Sequence, residues 1–168
     1  MGGFNQTYRQ ASGEDNDLSY KVLQAGHRIY FQRRALVAHD HPVRLGRYLK
    51  EQFRHGFWRV KMYRDHPGMA GGDGYTFWKD IAEIPLALGC VAGLGAAAVR
   101  GVSLKDVAGF IWLPFLVFEI LFGCFVIRGF FDGIFLGFVF FLRGFARAFG
   151  FSTGILWVFL EKRQKILK

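Results

Sequence analysis

The spacing of polar and apolar positions divides the chain in two. Up to about Lys79, apolar residues recur at short intervals among charges; from Asp80 onward they run almost unbroken. In the first part, Leu18, Val22 and Ala25 stand at i, i+4 and i+7, with Leu23 beside them. This pattern predicts a helix from Glu14 that ends at Gly26 as a left-handed C′ residue. Ile29 and Phe31 then alternate with Arg28, Tyr30 and Gln32, as in a half-buried strand, and "ALVAHD" is a short apolar run stopped by Pro42.

After Pro42, Leu45, Leu49, Phe53 and Phe57 stand four apart, flanked by Tyr48, Val60 and Tyr63. Arg44, Arg47, Lys50, Arg54, Arg59, Lys61 and Arg64 cover much of the remaining surface. A basic amphipathic helix of this kind lies in the headgroup region of a membrane, apolar face down. Each base near an anionic leaflet contributes ~1 kcal/mol. "MAGGDGY" reads as a flexible connector and not a phosphate loop, because no Lys-Ser/Thr pair follows it.

Two apolar stretches, residues 81–99 and 107–127, are long enough to cross a hydrocarbon core that needs ~20 residues of helix. Glu83 lies near an end, within snorkelling reach of the interface; Glu119 lies well inside and must face protein or be protonated. Residues 130–160 are equally apolar but interrupted by Asp132, Arg143 and Arg147, which suits a re-entrant or interfacial helical pair better than a clean span. Basic residues precede the first span and close the chain in "EKRQKILK", whereas the connector "RGVSLKD" carries few. Both ends are therefore expected in the cytoplasm.

Composition agrees with this division. The 168 residues carry a net charge of +9, include 20 Phe, and have a mean hydropathy of +0.19, which excludes an ordinary soluble domain. The positive charge does not indicate a nucleic-acid partner, since an apolar stripe and membrane spans have no use in a groove binder. Cys90 and Cys124 sit inside the apolar stretches without metal or redox spacing and read as packing residues. "MGGFNQTYRQ" has no apolar core of a signal peptide.

Two polar clusters could carry chemistry. In "SGEDND", Ser12 suits an N-cap and Asp15 its capping-box partner, and the helix dipole favours acids there. Equally, a carboxylate at a helix N-terminus can serve as a general base toward an acceptor hydroxyl. In "HDH", His39 and His41 would share one face of a strand and suit a divalent metal, though a complete site needs a further ligand.

The order "GGF", then "GEDNDLSYKVLQAGHRIYFQ", then "ALVAHDHP" resembles the C-terminal half of the catalytic domain of family 2 glycosyltransferases, an inverting GT-A group. The resemblance covers roughly residues 2–42, and the helices that follow resemble those of the membrane-bound members. It implies an α/β fragment over residues 1–43, an amphipathic interfacial helix and linker over 44–79, and an α-helical membrane region over 80–168. It further implies Asp15 as catalytic base with Glu14 as its acidic neighbour, Gly2, Gly3 and Asp17 near substrate, and His39, or less directly His41, near a divalent Mg or Mn ion. The implied partners are a nucleotide-sugar donor, a lipid-linked or glycan acceptor, and the membrane. The nucleotide-binding half of that family, with its DxD motif, has no counterpart in these residues and is expected in preceding sequence or a separate chain. "QFRHGFWR" departs from the Gln-x-x-Arg-Trp motif of processive synthases at His55 and Gly56, which leaves Trp58 and Arg59 as interfacial anchors.

Overall fold

The computed structural model describes residues 2–8, 13–71 and 78–166, with side chains as far as Glu161. The order is α1 (Glu14–Gln24), α2 (Leu45–Asp65), a 3₁₀ turn (Pro67–Gly71), α3 (Trp78–Arg100), α4 (Leu104–Val107), a π-helical turn (Ala108–Trp112), α5 (Leu113–Val126) and α6 (Phe130–Ile166). α1 ends as its sequence predicts. Gly26 takes φ +80°, its N–H reaches the Leu23 carbonyl and the His27 N–H reaches that of Val22, a Schellman closure.

The expected α/β fragment is not there: the described residues contain no strand. Residues 27–44 form turns and extended backbone with no ladder. Alternating side chains do not make a strand by themselves, because its backbone groups and its apolar face need a neighbouring strand. Here Tyr30 is 79% and Phe31 90% exposed, so nothing described covers the face that alternation sets up.

The membrane-type part is built on close helix approach. Three helical stretches, Trp78–Arg100, Leu104–Val126 and Phe130–Glu161, are long and apolar enough to cross a bilayer. α6 runs unbroken through Arg143 and Arg147 where a helical pair was expected. Its glycines explain how it packs. A Cβ at Gly133 or Gly137 would collide with α5 backbone, and one at Gly150 with the Phe53 carbonyl of α2. The first half of α6 therefore lies on α5 and its second half on α2.

Most of the apolar stripe expected to face lipid on α2 is only partly covered, while Gln52, Gly56, Trp58, Lys61 and Met62 are the residues that α2 buries. The core proper is small: Ile84, Ala87, Cys90, Phe115, Phe141 and Ala148. Trp112 closes it by donating its indole N–H to the Cys90 carbonyl at 3.1 Å. Phe110, Phe125 and Phe131 point outward, the apolar exterior that lipid would solvate.

Gly150→Val should part α2 from α6, because the added carbons meet backbone that cannot turn aside. The expected loss is about 1–3 kcal/mol of unfolding free energy in detergent. Gly46→Val, at a position with open space around it, should leave the unfolding midpoint in place; equal effects of the two would refute the close-packing account.

Candidate functional site

Acids and bases that interrupt the apolar segments meet one another. Lys79, Glu83 and Glu119 are all but inaccessible, at 1%, 0% and 0% exposure. Lys79 pairs with Glu83 one turn along α3 and, at 2.6 Å, with Glu119 of α5. Its ammonium also lies 4.8 Å from the ring centres of Phe122 and Phe140. Arg143 of α6 bonds to Glu83 and approaches Asp80 at 3.3 Å. Arg147, one turn on, donates to Asp80 at 2.7 Å and to the Gln52 side-chain oxygen at 2.8 Å. Glu119 thus faces protein as its position required, whereas Glu83 turns inward to bases instead of snorkelling to the interface.

Above this network lies a cavity of about 250 Å³ between the start of α1, the middle of α2, the start of α3 and Arg147. Gly13 and Asn16 form its α1 rim; Gln52, His55 and Arg59 are polar residues that α2 contributes. These three stand at i, i+3 and i+7, one face of a helix. His55 keeps an exposed edge, yet the surrounding protein and the guanidiniums of Arg147 and Arg59 hold its imidazole below the ordinary value. Arg59 donates to the Tyr63 hydroxyl at 3.4 Å.

The acidic cluster splits by role. Asp15 is exposed, and its carboxylate accepts the Asn16 N–H at 2.8 Å. Asp15 does not itself line the cavity, but it lies between Gly13 and Asn16, which do, and its charge acts on His55 of the cavity wall, so it stands beside the rim. The residue at the N-cap position is Gly13, with φ +106°, a backbone that favours glycine; the expected cap, Ser12, lies outside the described residues. Asp17 points the other way. It is 1% exposed, with His66 Nε2 at 2.6 Å from one oxygen and Lys21 Nζ at 2.6 Å from the other. Burial opposes its ionisation, but the contacts with Lys21 and His66 outweigh this and hold the carboxyl below its usual range. Tyr20 adds a ring contact to His66, so α1 is fastened to the end of α2 mainly by polar groups while Leu23 stays exposed.

Gly2 and Gly3 are exposed, each at φ +69°, in a turn before Tyr8. Tyr8 packs on Trp58 and Lys61, and burial, with Asp65 next, raises its phenol. The rings of His39 and His41 lie 4.6 Å apart, tilted by 38°, on exposed extended chain. Among the described residues no three His, Cys, Asp or Glu side chains converge as a metal site would need, so this pair by itself does not fit a divalent ion. The sequence assigns Asp80 and Gln52 no role at a site, marks Arg147 only as an interruption of an apolar segment, and takes Arg59 as an interfacial anchor. The i, i+3, i+7 spacing on α2 was the available signal; the approach of Arg147, 95 positions from Gln52, left none.

Two curated relatives match the chain, the "Pre-mycofactocin glycosyltransferase" of Mycobacterium tuberculosis strains CDC 1551 / Oshkosh and ATCC 25618 / H37Rv. Each is 31% identical over 106 residues, covering 60% of this chain and 22% of the relative. The chain thus spans about a fifth of the length of these relatives and is distantly related to a glycosyltransferase. No protein-family profile and no solved structure matches it.

The Asp17 contacts set a pH dependence. A carboxyl depressed in the folded state contributes stability above its unfolded pKa, about 3.9, and loses it as pH falls through the folded value. At about pH 6 the α1 amides should exchange roughly ten- to a hundredfold faster in Asp17→Asn than in the native chain, as expected for charge-assisted bonds. The two should converge well below pH 4. A difference that persists unchanged in acid would show that Asp17 does not fasten α1.

Proposed function

We propose that this chain is the acceptor-side and membrane part of a family 2-like, inverting glycosyltransferase, with Asp15 as its general base. The exposed carboxylate at the rim of a polar cavity carries the reading, and the relationship to a glycosyltransferase supports it. In the proposed step Asp15 takes the proton of an acceptor hydroxyl, whose oxygen attacks the anomeric carbon of a nucleotide sugar from the face opposite the leaving group. The new glycosidic bond forms as the bond to the diphosphate breaks, and the diphosphate leaves with the electron pair. On this reading Glu14 is the acidic neighbour of the base, and the Gly2–Gly3 turn would contact substrate. The nucleotide and a Mg or Mn ion belong, on this reading, to a nucleotide-binding half outside these residues. The acceptor is a lipid-linked sugar or glycan at the membrane surface.

A second reading, a non-catalytic membrane anchor or interaction module descended from such an enzyme, is favoured by the exposed segment 27–44, which has no strand partner among the described residues. Co-expression with candidate nucleotide-binding halves and transfer of labelled sugar into membranes separates the two. Asp15→Asn should slow transfer by about 10²–10⁴-fold without altering membrane insertion. An unchanged rate would remove Asp15 from this role, and no transfer with any partner would favour the anchor.

Helix contacts support a topology as well. The second half of α6 touches α2 through the Trp58–Trp157 ring pair and an Arg64–Glu161 ion pair of 2.7 Å. α2 is too highly charged for hydrocarbon, so these partners share one side. A chain returning to its starting side crosses an even number of times; α3 and the α4–α5 stretch make the two crossings, and α6, though long enough, completes none. The basic flanks favour the cytoplasm as the shared side. Cysteines introduced at Lys50 and Glu161 should react with an impermeant maleimide from one face of sealed vesicles, and one at Ser103 from the other. Labelling of positions 50 and 161 from opposite faces would overturn the arrangement.

A further inference from the structure

The cavity below Asp15 has a charge that the network beneath it does not balance. Lys79, Arg143 and Arg147 are matched by Asp80, Glu83 and Glu119, three bases against three acids. Asp80 lines the cavity, but its carboxylate already accepts from Arg147 and faces Arg143, so its charge is largely spent. Arg59 lines the same cavity and forms no direct ion pair among the described residues, although it lies near enough to Asp80 for the two charges to attract. A guanidinium that is partly shielded from water, and whose nearest described carboxylate is already held by two other bases, can take an anion, which its planar donors hold better than an ammonium would.

We infer that this cavity binds a phosphate group, with Arg59 as its cation and the Gln52 amide as a second donor. The Gln52 oxygen is occupied by Arg147, so the amide nitrogen is the atom it has left to offer. Because the cavity's volume, about 250 Å³, falls just below the ~300–1,000 Å³ of sites that enclose a whole drug-sized ligand, it admits the phosphorylated end of a molecule and leaves the remainder outside. Trp58, Met62 and Ile84 supply an apolar flank beside that end. The inference rests on the glycosyltransferase reading only in making the bound molecule the acceptor, whose phosphate would sit beside Arg59 while its hydroxyl lies toward Asp15.

Binding is measured without turnover, so it fails or stands independently of Asp15. The full chain in a maltoside detergent is titrated calorimetrically with inorganic phosphate and with dodecyl phosphate. Saturable binding of dodecyl phosphate alone identifies a lipid headgroup, and equal binding of both identifies the phosphate group as sufficient; either result supports the site. Arg59→Gln should weaken binding by about tenfold or more, and Arg54→Gln, on the same helix but away from the cavity, by less than about twofold. Should Arg59→Gln not fold, phenylglyoxal modification of the native chain keeps the test open: dodecyl phosphate should slow reaction at Arg59 and not at Arg54. No saturable binding, equal loss in both variants, or no protection of Arg59 overturns the inference.

Discussion

The arrangement depends on the ionic network buried where α3, α5 and α6 converge. Each of its members, placed alone in an apolar segment, would carry a penalty of at least ~2.5–3.5 kcal/mol on insertion scales. Lys79 with Glu83 is a local pair on one helix, but Glu119, Arg143 and Arg147 come from elsewhere in the chain. Their charges are tolerable only when the helices are together, which makes the network a condition on tertiary structure more than a source of net stability. The apolar core beside it is too small to impose that arrangement alone.

From this constraint the position of the cavity follows. Arg147 satisfies Asp80 on α3 and Gln52 on α2 at once, so the same side chain that completes the network also seats α2 at its edge. Gly56 and Gly150 let the backbones approach closely enough for that reach. α1 is then fastened to the far end of α2 by Asp17 and His66, which brings the N-terminal end of α1, with Asp15, over the gap left between α2 and α3. The cavity is thus the space that remains when polar contacts, rather than an extended apolar face, decide how the first helix sits.

The legible parts of the sequence were those fixed by local periodicity. Gly26 marked the end of α1, the fourfold spacing after Pro42 marked α2, and the length of the apolar runs marked the segments able to cross a bilayer. Ile29 and Phe31 misled because alternation reports which face a strand would bury and says nothing of whether a neighbour is present to bury it. Arg143 and Arg147 misled in the opposite sense: read singly they broke a helix, and read with Glu83 and Asp80 they hold it in place. Of the cavity, only the rim around Asp15 was visible beforehand, since its walls come from four helices whose meeting no local pattern encodes.

One consequence joins the charged network to the likeness with a glycosyltransferase. In the proposed reaction the acceptor would lie in the membrane surface while the proton taken by Asp15 passes to water. Asp15 is exposed, and the next wall of the cavity below it is the Arg147–Asp80 pair at the start of an apolar helix. Asp80, on the cavity wall, is followed three residues later by Glu83 and preceded directly by Lys79, both at or near zero exposure. An amphiphilic acceptor entering there would have its headgroup beside the cavity and its apolar part along the exterior of the helices, with no further element needed to orient it.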